Sequence, residues 1–183
     1  MSERVSIILP VRAASQALRA LVALTHLGDD PPFEVVVVDD GCDAPARELL
    51  DGLAGDVRVV AAADPLGFGP ACDRGAAAAT GEVLVLLDPI GVPVDGWLAD
   101  LVDALEVAHA GAALPRTVDL RGATASEAHW AAVAIRRADY LGIGGFAGSA
   151  RPGWAEKRAL IASLVAAGIV VTKALAPVLL LVS

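Results

Sequence analysis

Four β-branched residues in succession, Val35-Val36-Val37-Val38, run directly into Asp39-Asp40-Gly41. As a strand, such a run has no solvent face, so it belongs at the centre of a sheet covered on both sides, the usual state of a parallel sheet. The carboxyl ends of strands in open α/β sheets are where ligands sit. Two acidic side chains there suit a ribose hydroxyl, a base edge or a metal ion, and they repel bare phosphate.

The rest of the chain repeats this plan. Residues 5–9 form a short apolar strand that Pro10 should close, because proline supplies no ladder N–H. Ser15 then caps a helix with Leu18, Leu21 and Val22 inward, stopped at Gly28, and Asp29 to Pro32 turn into the next strand. After the valine strand, Asp43 caps a second helix with Pro45 in its first turn and Leu49, Leu50 and Leu53 inward. A strand over 57–62, an alanine-rich helix over 69–79 and an apolar strand over 83–87, ending at Asp88, complete a βαβαβαβ order. That order predicts an α/β fold with a mostly parallel, doubly wound sheet. Farther on, an amphipathic helix over 97–108 turns Leu98, Leu101, Val102 and Leu105 inward. Strands follow near 112–114 and 131–136, then a helix over 157–167 and two terminal strands, 169–172 and 178–182.

At 183 residues the chain predicts one domain, and 56% hydrophobic residues exclude a disordered chain. A net charge of −8 argues against nucleic acid and anionic lipid as partners. Cys42 and Cys72 have no metal-ligand spacing, and reduced thiols are expected. His26, His109 and His129 lie far apart and form no ligand set. Glu3 and Arg4 lead straight into the first strand with no signal peptide, which predicts a cytoplasmic protein. The apolar C-terminal run is interrupted by Gly168, Lys173 and Pro177, so no integral membrane span is expected. The high apolar content suits burial against another subunit, identical or different.

The motifs resemble, in register, those of family-2 glycosyltransferases of the GT-A fold. There the first strand runs into a proline-led turn, and the second ends in an Asp-Asp-Gly-Ser loop that holds the donor nucleotide; here these are Pro10 and Asp39-Asp40-Gly41-Cys42. Gly67-Phe68-Gly69-Pro70-Ala71-Cys72-Asp73-Arg74-Gly75 stands for the family's Gly-Phe-x-x-Ala-Arg-Asn-x-Gly. Gly81-Glu82 and the strand to Asp88 stand for the approach to its Asp-x-Asp motif, and Pro93 and Gly96-Trp97-Leu98 follow at the usual places. Ala134-Ile135-Arg136-Arg137 and Gly144-Gly145-Phe146 are similar to the segment before the catalytic-base helix. The spacing of Gly67 and Gly69 does not make a dinucleotide fingerprint, since the third glycine and the strand placement are wrong.

The resemblance implies a single GT-A-like domain over 1–183, with a nucleotide-binding half at 1–95 and a shortened acceptor-side half at 96–183. The short segment between Asp88 and Gly144 implies a narrow or missing acceptor site. The implied donor-binding residues are Pro10, Arg12, Asp39, Asp40, Gly41, Gly67, Arg74 and Asp88. Asp39 is the candidate for the base edge, Asp40 for the ribose side, and Arg12 for either, with a solvated arginine as the plain alternative. Arg74 would have to turn inward to replace a lost phosphate-binding arginine.

The chain departs from the family where chemistry is expected. Asp-x-Asp becomes Asp88-Pro89-Ile90, and isoleucine cannot coordinate a hard cation. No metal ligand set is assigned; Asp88 alone would hold a divalent cation weakly. Cys72 and Asp73 replace the arginine and asparagine, an exchange that should make the pocket less welcoming to a diphosphate. The Glu-Asp pair carrying the general base falls on Glu156-Lys157, and a second acidic position on Ala159. Glu156 is the catalytic candidate, against the alternative of a first-turn glutamate that favours the helix dipole. The implied function is sugar transfer from a nucleotide-sugar donor to an acceptor hydroxyl at a metal-poor site. The alternative is an inactive relative acting as scaffold, partner subunit or nucleotide-binding regulator.

Overall fold

The computed structural model describes residues 4–26, 31–53, 55, 57–62, 64–119, 130–146 and 154–181. The expected stop at Gly28, the first half of the turn at 29–32, and His129 lie outside them. In chain order the elements are β1 (Val5–Val11), α1 (Ala14–Thr25), β2 (Phe33–Asp39), α2 (Ala44–Gly52), β3 (Arg58–Ala61), α3 (Phe68–Ala78), β4 (Val83–Leu87), β5 (Gly91–Val92), α4 (Trp97–Val107), β6 (Ala112–Asp119), β7 (Ala132–Arg136), α5 (Arg137–Gly142), α6 (Trp154–Ala166) and β8 (Val171–Leu181).

The strands form one sheet in the order β3-β2-β1-β4-β7-β6-β8-β5. Pairings β1–β2, β1–β4, β2–β3 and β6–β8 are parallel, and β4–β7, β6–β7 and β5–β8 are antiparallel. The sheet is therefore the expected mostly parallel one, and apolar side chains leave its two faces alternately. Ile7, Leu9, Val37, Val83, Val85 and Leu87 pack under α1, α2 and α4, whereas Ile8, Val36, Val38, Leu84 and Leu86 pack under α3, α5 and α6. This two-sided cover is the doubly wound arrangement that the valine run demands. Asp43 caps α2 as expected, its side chain accepting the Ala46 amide at 2.8 Å. Gly75 lets α3 lie against the sheet, since a Cβ there would come within 2.4 Å of Ile8 Cγ2.

Four local expectations need correction. Pro10 does not end β1, which continues to Val11 in register with Asp39. Val11 O takes the Asp40 amide on the β2 side. Its neighbour Pro10 therefore faces the β4 side, where the ladder has already stopped at Ile8–Leu86 and no N–H is needed. Ser15 is not the cap of α1; the N-cap is Ala13, without a side-chain bond. That helix buries Ala17, Ala20, Leu21 and Leu24, while Leu18 and Val22 are exposed, because the small alanines allow closer approach to the sheet. Finally, the two predicted terminal strands are one, β8, paired along β6. The register jumps from Leu114–Lys173 to Arg116–Val178, an irregularity that holds Pro115 and Pro177, the residues unable to donate to a ladder. No helix among the described residues is long and apolar enough to cross a membrane.

Candidate functional site at the carboxyl ends of the strands

Since β1, β2 and β4 run parallel, their carboxyl ends open on the same side, bringing Arg12, Asp39-Asp40 and Asp88 to one rim of the sheet. Because β7 is antiparallel to β4, its entry point comes to the same rim, where the Asp88 amide donates to Ala131 O at 2.8 Å. A cleft of about 160 Å3 lies there, lined by Pro10, Arg12, Gln16, Asp40, Phe68, Asp88 and Pro89.

Asp40 is the organising carboxylate. It is buried, and one oxygen accepts the backbone amides of Leu66 and Gly67, the latter at 3.1 Å, while the other takes Arg12 Nε at 2.8 Å. Gly67 is the N-cap of α3, so the carboxylate just after β2 supplies the acceptor that glycine cannot. Arg12 itself stays more than half exposed, reaching over Asp40 from the loop after β1. Gly41 makes the turn possible: its φ is +79°, and a Cβ there would meet Pro65 Cγ at 2.6 Å.

Asp39 points elsewhere. One oxygen accepts the Cys42 amide at 2.7 Å, and the other lies 3.3 Å from Arg47 Nε. Burial would raise its pKa, but the Cys42 hydrogen bonds and Arg47 outweigh it and hold the carboxyl below its ordinary value. Asp39 thus shapes the loop and stands behind the cleft. Arg74 is exposed on α3 and does not line the cleft.

Cys72 and Asp73, which stand where the family has its arginine and asparagine, both face away from the cleft. Cys72 is fully buried in the core beneath α3. Asp73 accepts the Tyr140 hydroxyl at 2.6 Å and the Phe146 amide at 2.9 Å, tying α3 to the Gly144-Gly145-Phe146 turn. Both residues serve packing and neither lines the cleft.

The Glu156-Lys157 pair lies in the first turns of α6, and both side chains are buried. Glu156 presents Oε2 to the first turn of α3, 2.8 Å from where a Cβ on Gly69 would stand. Lys157 turns to the strand ends, where its ammonium pairs with Asp88 and donates to Trp130 O at 3.1 Å. The rings of Phe68 and Trp130 flank it, with centroids 4.6 and 4.8 Å away. The second Asp88 oxygen accepts the Ile90 amide at 3.0 Å. The sequence alone points to no role for Phe68 or Trp130 in the site. Phe68 carried the family's glycine-phenylalanine signal, but Trp130 had none beyond being one of three tryptophans.

The family profile described as glycosyl transferase family 2 matches residues 6–144. The chain belongs to glycosyltransferase family 2. Its fold is that of the GT-A members. The crystal structure of Staphylococcus aureus TarS residues 1–349 superposes with a TM-score of 0.80 at 14% identity, over 98% of this chain and 60% of that one. A mannosyltransferase from Pyrobaculum calidifontis, solved with GDP-Man and Mn2+, gives 0.79 at 21% identity, over 98% and 57%. TarS 1–349 in complex with UDP-GlcNAc gives 0.65 at 18% identity, over 76% and 47%. These identities establish the fold alone, and this chain spans about 60% of the TarS fragment's length or less of the solved relatives. No curated protein matches the sequence significantly.

A divalent cation is implied by the family's Asp-x-Asp motif, and the residues present do not fit one. Ile90 offers an amide where a carboxylate is needed, and Asp88 is already paired with an ammonium. Among the described residues no three His, Cys, Asp or Glu side chains are arranged to hold a metal.

Proposed function

We propose that this family-2 domain transfers a sugar from a nucleotide-sugar donor to an acceptor hydroxyl at a metal-poor site. The observation that carries this reading is the convergence of Arg12, Asp40 and Asp88 on one cleft at the carboxyl ends of three parallel strands. In this reading the nucleoside lies against Arg12 and Asp40, with Pro10, Gly41 and Gly67 holding the cleft's backbone and Asp39 bracing the loop. The acceptor oxygen bonds to the anomeric carbon as its bond to the diphosphate breaks. The proton goes to Glu156, whose buried carboxylate beside Gly69 is outside the cleft's lining and must turn toward it, and the nucleoside diphosphate leaves with the bonding pair. Residues 1–95 serve the donor and 96–183 the acceptor, in a cytoplasmic protein.

A second reading, an inactive relative that serves as scaffold, partner subunit or nucleotide-binding regulator, draws on Lys157. A lysine occupies the place the family gives its base, and the cleft is smaller than the ~300–1,000 Å3 of ordinary ligand sites.

Thermal melts with UDP, GDP, dTDP and their sugar conjugates test donor binding. A ligand at a hundredfold excess over Kd adds about 2.7 kcal/mol, which a melt resolves. Sugar transfer that disappears in Glu156→Gln, with folding retained, supports the enzyme. Transfer that survives removes Glu156 as the base. A nucleotide-induced shift without any transfer supports the regulator, and no shift at all leaves the scaffold.

A further inference from the structure

We propose that Lys157 is a resident cation. Its ammonium occupies the place beside Asp88 that the fold gives to a divalent metal, and it thereby makes the cleft independent of Mn2+ and closed to it. This deepens the donor-site reading above and rests on it.

Asp88 and Lys157 are 69 residues apart in sequence and meet at the end of β4, with side chains 14% and 4% exposed. A carboxylate with so little exposure needs a partner, and the buried ammonium needs one equally. Each supplies the other. Both Asp88 oxygens are engaged, one by Lys157 and one by the Ile90 amide, so a metal would have to bind against the ammonium's charge or displace it. Displacement would strand that ammonium between the Phe68 and Trp130 rings and the Trp130 carbonyl, surroundings that favour a fixed cation. Ile90 gives an entering cation no oxygen in return.

The charge balance of the cleft makes the same point. Its two lining carboxylates are Asp40 and Asp88. Arg12 is paired with the first and Lys157 with the second. Each negative charge that would repel a diphosphate is thus offset from within the chain. Without Lys157 the unpaired Asp88 would face an anionic donor, and a divalent cation would be the remaining way to offset it.

The test compares wild type, Lys157→Met, Asp88→Asn and the double variant in binding of UDP, GDP and dTDP, each with Mn2+ or with EDTA. Wild type should bind its nucleotide with the same Kd in both. Lys157→Met should bind at least tenfold more weakly in EDTA and recover with Mn2+. The double variant should bind better than Lys157→Met in EDTA and lose the Mn2+ response. A wild-type affinity that rises with Mn2+, or a Lys157→Met variant indifferent to it, overturns the proposal. Should Lys157→Met fail to fold, Asp88→Asn decides. Leaving the ammonium without its carboxylate should tighten nucleotide binding severalfold, and weaker binding overturns the assignment. If no nucleotide binds wild type, the donor reading fails separately. Water proton relaxation with Mn2+ alone then decides: Asp88-dependent Mn2+ binding in Lys157→Met but not wild type supports the resident cation, and any other pattern overturns it.

Discussion

The Asp73 carboxylate accepts the Tyr140 hydroxyl at 2.6 Å, joining α3 to α5 across 67 residues of sequence, and the same oxygen accepts the Phe146 amide. Tyr140 is 1% exposed, and its phenol is pushed above its ordinary pKa by burial first, then by the charges of Cys72 and Asp73 and by this hydrogen bond. Asp73→Ala leaves two donors without their acceptor and should cost about 2–4 kcal/mol in urea unfolding. Asp73→Asn keeps an acceptor oxygen and should cost ~1 kcal/mol. If Asp73→Asn changes nucleotide affinity instead of stability, the carboxylate belongs to the site after all.

Arg12 and Asp40 are paired but should behave differently when removed. Asp40→Ala strips the cap from α3 at Leu66 and Gly67 and should destabilise by about 2–4 kcal/mol. Arg12 is exposed, so Arg12→Ala should change stability by less than ~1 kcal/mol. Its effect should fall on the donor, with Kd raised about tenfold, a loss of ~1.4 kcal/mol. Calorimetric titration beside a melting curve separates the two, and equal destabilisation by both variants would remove the capping role from Asp40.

Stability should fall on the acid side through Glu34 and Asp39. Burial would raise Glu34, but the Ser6 hydroxyl, the Thr80 amide and hydroxyl, and Arg58 hold it below its ordinary 4.5. Asp39 lies below its ordinary 3.8, burial being outweighed by Cys42 and Arg47. A carboxyl with a lower pKa folded than unfolded stabilises above the unfolded value and loses that contribution as pH falls through the folded one. Urea unfolding should therefore be level in these two contributions above about pH 5 and decline below it. Glu34→Gln and Asp39→Asn should each flatten the decline, and a wild-type slope in both variants would contradict the assignment.

Both thiols should be inert in the folded protein. Cys42 is pushed up to about 12, by burial first and then by hydrogen bonding to Asp39 and the charge of its carboxylate. Cys72, in the core, lies well above its ordinary 9.0 through burial and then the Asp73 charge. The thiolate is the reactive species, so a disulfide reagent at about pH 8 should label neither residue natively and both in guanidinium. Prompt native labelling of Cys42 would show the loop after β2 to be open.

What the sequence determined by itself was whatever follows from neighbours along the chain. Four valines in a row admit only a strand covered on both faces, and β2 is one. The spacing of Leu98, Leu101, Val102 and Leu105 fixes a buried stripe, and α4 buries all of them. Asp43 lies within reach of the amide it caps. The family motifs and the parallel strand order likewise place Arg12, Asp40 and Asp88 at one rim.

Only the tertiary structure decided which side chains meet. Ranking leucines above alanines misplaced the face of α1, because close approach to the sheet favours Ala17 and Ala20. Cys72 and Asp73 stand where the family has an arginine and an asparagine, and only packing shows that one lies in the core and the other on Tyr140. The two halves of β8 became one strand because β6 lay beside both. Lys157 read as a missing base, and its partner was invisible, since nothing local links a helix's first turn to a strand end 69 residues away. Periodicity and capping are short-range and are written in the sequence. The pairing of buried charges depends on where folding brings the chain's distant ends of strands and helices together.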